Sequence, residues 1–194
     1  MNILLHVCCA PCAIIPVEYL KQRGYSVTLY FYNPNIHPYR EFQKRKTCVQ
    51  EFAEKNDLPL IVDDRYLLTE FLRTVAFREE NRCSICQEIR IRQTTALANQ
   101  NGFEFFSTSL LYSKYQRHNE IKEQCLKYSK LSNPRFFYHD FRLGWKEGIE
   151  AAIAQGLYRQ SYCGCIFSEQ ERFDKNFRAK GNKHDGYDRS CDKQ

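Results

Sequence analysis

The sequence predicts an α/β protein, a parallel sheet flanked by helices. Short apolar runs alternate with amphipathic stretches of helical period along most of the chain. The first run, Ile3-Leu4-Leu5-His6-Val7, is nearly continuous, the pattern of a strand buried on both faces. Turn signals, Gly24 and Asn33-Pro34-Asn35 among them, fall between the runs, as the punctuation of βαβ units requires.

Taken in order, residues 2–7 form the first strand and run into Cys8-Cys9-Ala10-Pro11-Cys12. An amphipathic helix carrying Ile14, Ile15, Val17 and Leu20 follows and stops at Gly24. A second strand spans 26–32, a helix 41–55 and a short strand 60–62. Helices over 67–75 and 85–100 precede a strand at 103–107. A helix at 118–131, a short strand at 136–139, and helices at 148–155 and 169–177 complete the pattern. Residues 1–180 read as one catalytic domain and 181–194 as a polar, charged tail in which Cys191 is incidental. In an open α/β sheet the ligand crevice lies outside the carboxyl ends of the strands. Cys8 and Cys9 fall there, where a nucleotide-binding protein would carry a glycine-rich loop.

The formal net charge is +6, with basic residues recurring along the chain: Arg40, Lys44, Arg45, Lys46, Arg90, Arg92, Lys114, Arg117, Lys122 and Lys127. Such an excess suits a polyanionic partner, although a basic protein without one has the same composition. No apolar stretch approaches the roughly 20 residues that span a bilayer, and the N-terminus lacks a signal peptide's basic region. A soluble, cytoplasmic protein without membrane partners is expected.

In that reducing setting ten cysteines stand out, seven of them in three tight clusters. Cys8, Cys9 and Cys12 sit at the crevice, with Cys12 entering the helix, where the positive end should depress its pKa. Cys83-Ser-Ile-Cys86 has the spacing of half a metal site or of a redox pair. Cys163-Gly164-Cys165 brings two thiols close across a permissive glycine, suiting a strained, reducible disulfide or metal ligation. Cys48 and Cys125, inside helices without partners in sequence, read as buried apolar residues. Zinc on Cys8, Cys9, Cys83 and Cys86 would close a structural site. An iron–sulfur cluster takes the same four ligands and gives the nearby dithiol a purpose, since electrons must enter and leave. His6 and His37 are candidate neighbours of the metal, or simply hydrogen-bonded. Asp140 is the carboxylate to watch as oxygen ligand or proton donor, and Asp63-Asp64 reads as solvated. Tyr112, Tyr115, Arg117 and His118 interleave aromatic and basic groups in a way that could clamp a nucleotide, or form an ordinary loop.

The motifs His6-x-Cys8-Cys9-x-Pro11-Cys12, Tyr32-Asn-Pro-Asn-Ile36, Arg82-Cys83-x-x-Cys86, Ser107-Thr-Ser-Leu-Leu111 and Tyr158-Arg-Gln-x-Tyr-Cys163-Gly-Cys165 together resemble the cobalamin-independent epoxyqueuosine reductases of the QueH family. The resemblance runs over residues 3–178. It implies reduction of epoxyqueuosine to queuosine at the wobble position of tRNA, the last step of queuosine biosynthesis. It further implies a [4Fe-4S] cluster on Cys8, Cys9, Cys83 and Cys86, with an additional iron beside it left open, and a redox-active pair at Cys163 and Cys165. The partners implied are tRNA carrying epoxyqueuosine and an electron donor that the sequence does not identify. The implied fold looks like the adenine nucleotide alpha-hydrolase (HUP-like) fold, with cysteines replacing its nucleotide loop. The competing reading from another class is a zinc-stabilised RNA-binding module without catalysis.

Overall fold

In a computed structural model describing residues 1–179, five parallel strands form one sheet in the order β3-β2-β1-β4-β5. The strands are β1 (Asn2–His6), β2 (Ser26–Phe31), β3 (Leu60–Val62), β4 (Phe105–Thr108) and β5 (Arg135–Phe136). Their partners are in register, Leu5 lying between Leu29 of β2 and Ser107 of β4. The α/β class and parallel sheet are as the sequence predicts. The polar tail and Cys191 lie outside the described residues.

Central position explains the unbroken apolar run of β1. Ile3, Leu5 and Val7 face one core, shared with Ile14, Val17, Leu20, Phe42 and Val49 from helices α1 (Ala10–Gln22) and α2 (Tyr39–Lys55). Leu4 faces the other, with Ile91, Ala98, Ile121 and Cys125 from α4 (Arg82–Gln100) and α5 (His118–Lys130). A strand that buries alternate residues on opposite sides must be apolar throughout. Cys48 and Cys125, 5% and 0% exposed, are core residues as read from the sequence.

Chain order reverses at β1, with β2 and β3 on one side and β4 and β5 on the other. Such a switch point opens a crevice at the strands' carboxyl ends. The Cys8 N–H donates to Ser109 Oγ across it at 3.2 Å.

Several boundaries differ from the sequence expectation. Helix α4 begins at Arg82 because the short 3-10 turn Glu79–Asn81 feeds straight into it, so Cys83 and Cys86 occupy its first two turns. Helix α6 (Trp145–Ala154) begins before Gly148, whose missing side chain makes room for the Tyr112 hydroxyl. The single helix expected over 169–177 is two: α7 (Ile166–Phe173) and α8 (Lys175–Ala179), broken at Asp174 by an extended backbone. Helix α3 (Leu68–Val75) packs Phe71 and Val75 against Cys86 and Cys165, a small third core beneath the thiols.

Candidate functional site

Chain reversal after β1 places three sulfurs together. Cys9 is the extended N-cap residue of α1, Cys12 lies in its first turn, and Cys8 precedes both. The Cys8, Cys9 and Cys12 sulfurs lie within 4.8 Å of one another, with Cys8 and Cys9 at 3.8 Å. Hydrogen bonds from Cys12 and Cys9 hold the Cys8 thiol well below its ordinary pKa against the opposing effect of burial, and Arg90 adds to the lowering. Cys12 is pushed well above, first by its bonding to Cys8 and Cys9 and then by burial. The lowering expected at Cys12 falls on Cys8 instead, which is hydrogen-bonded by both neighbouring thiols. The Cys9 thiol receives a Gln160 Nε2–H bond at 3.1 Å, and Cys8 one from the Ser109 hydroxyl at 3.7 Å.

The second group comes from two distant segments. Cys86 and Cys165 share the apolar cluster of Phe71 and Val75. Burial raises the thiol of Cys83 and pushes that of Cys86 up to about 12. Cys165 caps α7, its sulfur accepting the Ser168 N–H at 3.4 Å. Cys163 reaches solvent, yet the packing around its sulfur and the neighbouring Cys165 push it up to about 11. Its sulfur accepts from Gln116 Nε2 at 3.2 Å, and Gln116 in turn accepts from Gln87 at 3.1 Å.

This loop is held by side chains that grip its backbone. Arg45 donates to the carbonyls of Tyr162 at 2.9 Å and Cys163 at 2.8 Å, while its Nε pairs with Glu41 at 2.7 Å. The His37 N–H donates to the Gly164 carbonyl at 2.7 Å. Gly164, at φ 146°, has Asn35, Ile36 and Arg45 atoms within 3.3 Å of where a Cβ would stand. A side chain here would be strained and crowded alike.

Two buried arginines join the groups. Arg90 is 2% exposed and lies near enough to Cys86, Cys163 and Cys8 for their thiols to act on it; among the described residues no carboxylate pairs with it. Arg45, 1% exposed, feels Cys9 and Cys8 besides Glu41. Counting both among the basic residues offered to a polyanion is corrected here, since neither reaches solvent. A buried guanidinium without an anion is strongly unfavourable, and of the three thiols near Arg90 only Cys8 is held toward its anion. Clustered thiols beside Arg90, a buried cation that no carboxylate among the described residues pairs with, fit a thiolate-bound metal group with net negative charge.

Other expectations are corrected. Asp140 is bound at both oxygens by Arg142, at 2.8 and 2.7 Å, and that guanidinium lowers its carboxyl to about 2. It is an ion-paired carboxylate, unsuited to donating a proton near neutrality. Tyr112 is buried, its hydroxyl donating to the Trp145 carbonyl at 3.1 Å, so it presents no face to a base. Tyr115 packs edge-on against Trp145, Arg117 pairs with Glu120, and His118 meets the Tyr138 hydroxyl at 3.2 Å. Asp63, its side chain 15% exposed, is half-buried and pairs with the exposed Arg65 at 2.6 Å, whereas Asp64 is exposed as expected. His6 is fully hydrogen-bonded: Nε2 donates to the Tyr32 carbonyl at 3.1 Å, which leaves Nδ1 to accept from the Thr108 hydroxyl at 2.9 Å. Burial lowers it to about 4.

Arg45, Arg90, Gln116 and Gln160 are the residues that the sequence reading missed as parts of the site. A partial signal exists: Arg45 follows Glu41, and Arg90 follows Cys86, each by one helical turn.

The model of the family described as "Epoxyqueuosine reductase QueH" matches residues 3–171 of this chain. The chain belongs to the QueH family. It is similar to an epoxyqueuosine reductase QueH of Dehalococcoides mccartyi, 37% identical over 174 residues, covering 90% of this chain and 96% of the relative. The Thermotoga maritima QueH is 32% identical over 186 residues, covering 90% and 94%. The Acinetobacter baylyi QueH is 34% identical over 177 residues, covering 86% and 80%. The resemblance read from the motifs is borne out, and the chain is an oxidoreductase. Among the described residues no helix is long and apolar enough to cross a membrane.

Proposed function

We propose that this chain reduces epoxyqueuosine to queuosine at the wobble position of tRNA, the last step of queuosine biosynthesis, in the cytoplasm. In this reading Cys8, Cys9, Cys83 and Cys86 hold a [4Fe-4S] cluster, and Cys163 with Cys165 are the redox-active pair. Cys12, within 4.8 Å of Cys8 and Cys9, would be the remaining thiol there for an additional iron. The observation that carries the reading is the cluster of Cys8, Cys9 and Cys12 sulfurs, within 4.8 Å of one another, with the buried Arg90 near enough to act on Cys8, Cys86 and Cys163 from three separate parts of the chain. When bound, the cluster supplies one-electron transfer and an iron able to polarise oxygen.

The protein's own part balances. Removing the epoxide oxygen breaks two C–O bonds, forms the alkene and releases water, consuming two electrons and two protons. Oxidation of the Cys163 and Cys165 thiols to a disulfide yields two electrons and two protons. A thiol raised to about 11 still carries its proton at neutral pH, so Cys163 has one to give. Gln116, donating to that sulfur, orients it. An external two-electron donor then restores the dithiol.

The test is single turnover of pre-reduced, iron-loaded enzyme on epoxyqueuosine-bearing tRNA. Cys163→Ser and Cys165→Ser should keep the brown colour and iron content of the wild type and lose conversion by about a hundredfold or more. Full conversion by both would remove the dithiol from the reaction. Colourless protein with stoichiometric zinc would leave only the structural-metal reading. Affinity for tRNA should fall steeply with added salt.

A further inference from the structure

Two residues past the buried end of helix α3 stands an aromatic ring that the fold leaves almost wholly in solvent. Phe77 is 97% exposed, and its backbone is left-handed, at φ 58°. Helix α3 ends at Val75, whose carbonyl accepts the Arg78 N–H at 2.9 Å, and Ala76 has φ −55° and ψ 134°. Those values describe a type II turn with Phe77 at the position that ordinarily calls for glycine. A β-carbon at positive φ is disfavoured, and a solvated ring gains nothing from packing to offset it.

The turn is nonetheless fixed on all sides. The Phe77 N–H donates to Glu79 Oε1 at 3.0 Å, the Asn81 N–H to the Arg78 carbonyl at 2.9 Å, and the Arg78 guanidinium reaches back to the Thr74 carbonyl. Arg82, which closes the segment, pairs with Glu171 and donates to the Glu79 carbonyl at 3.0 Å. Its inner end is anchored at the site, because Val75 is fully buried in the cluster that holds Cys86 and Cys165. Two residues of chain extend no more than about 7 Å, which bounds how far the Phe77 backbone lies from Val75 and the apolar cluster under Cys86 and Cys165.

We infer that Phe77 is a preset stacking platform for an unpaired base of the RNA loop that carries the substrate nucleoside. The inference rests on the tRNA reading above and deepens it. A strained, rigid turn that exposes an aromatic face suits a flat partner with a π-face. Loop nucleotides of RNA present such faces, splayed from their neighbours and recognised by aromatic stacking. The exposed Arg73 and Arg78 lie within four residues of the ring in sequence and offer cations to the adjoining phosphates, against the exposed carboxylates of Glu79 and Glu80. A preformed turn places the ring without ordering a loop at the moment of binding.

The experiment uses the iron-loaded enzyme, epoxyqueuosine-bearing tRNA, and dithionite as reductant. Phe77→Gly removes the ring while supplying the residue the turn prefers, so it separates stacking from folding. It and Phe77→Ala should raise KM for the tRNA by about tenfold or more, the loss falling in KM rather than kcat, at wild-type iron content. Phe77→Trp should keep the wild-type KM, and its fluorescence should be quenched by tRNA above the change shown by native Trp145 alone. Equal KM for the wild type, Phe77→Gly and Phe77→Ala would overturn the inference. So would a defect present with a protein reductant and absent with dithionite, which would make the turn a docking point for the electron donor. A wild-type enzyme that fails on the modified tRNA would bring down the functional reading itself, whereas turnover that is insensitive to Phe77 would bring down this inference alone.

Discussion

The two thiol-bearing regions are built by different means. The Cys8-Cys9-Cys12 segment is an outcome of regular structure: a central strand ends, a helix begins, and the sulfurs are fixed by the ladder on one side and the first helical turn on the other. The Cys163-Gly164-Cys165 segment has no strand beneath it. It is suspended from Arg45, His37 and Ser168 through its carbonyls and amides. The first region suits ligands that must not move. The second suits a pair whose sulfurs change their separation as they are oxidised and reduced, since a loop held by a few polar contacts opens at lower cost than a packed strand end.

The largest effect should come from breaking the rigid side. Cys8→Ser removes the thiol that Arg90, Cys9 and Cys12 all stabilise as an anion. Activity should fall by more than about a hundredfold, with iron lost in parallel, because removing a ligand costs more than the 10- to 100-fold typical of its supporting partners. Iron and sulfide analysis beside the activity assay checks it. Retained iron with lost activity would place Cys8 outside the metal set and dissolve the contrast between the regions.

Next comes the suspension of the loop side. Arg45→Met leaves Glu41 buried without its cation and the Tyr162 and Cys163 carbonyls without donors. Breaking a buried pair from one side costs about 3–5 kcal/mol, and the Tyr158 hydroxyl, which donates to Glu41 at 2.5 Å, recovers only part of it. Denaturant unfolding of metal-loaded protein measures the loss. The double variant Arg45→Met with Glu41→Leu should recover much of the stability while still lacking the loop's anchor. Stability and dithiol turnover would then separate, as the comparison requires.

These two regions also differ in how far the sequence reveals them. The apolar run of β1 and the helical period after it place Cys8, Cys9 and Cys12 at a crevice from local pattern alone, and the parallel sheet follows from the same signals. What holds Cys163 and Cys165 is invisible to such reading. Arg45 lies 118 residues from Cys163, and its contact is with a backbone carbonyl, which leaves no trace in residue type. Arg90 and Arg45 looked like surface charge because burial of a cation depends on anions brought from other segments. Tyr112 failed the opposite way: its neighbours in sequence suggested an exposed clamp, whereas α6 covers it through Gly148. Asp140 was read from its place at a strand end, and its partner two residues on decided its protonation.

A smaller effect separates the regions by pH. His37 is fully buried on the loop side, its Nε2 donating to the Pro34 carbonyl at 3.1 Å and its Nδ1 without a partner, and burial lowers it to about 4 from 6.5. The folded protein therefore keeps it neutral while the unfolded chain takes up a proton as pH falls below 6.5. Its contribution to stability is constant above that value and declines between 6.5 and about 4, by about 2–3 kcal/mol across the window. His37→Gln keeps a donor for Pro34 and cannot titrate, so its unfolding free energy should depend less on pH over that range and match the wild-type slope above it. His6, lowered to about 4 on the strand side, continues to titrate in this variant and sets the residual slope. An unchanged slope in His37→Gln would show that the loop side bears none of the acid sensitivity, and that the strand end is the region that acid opens first.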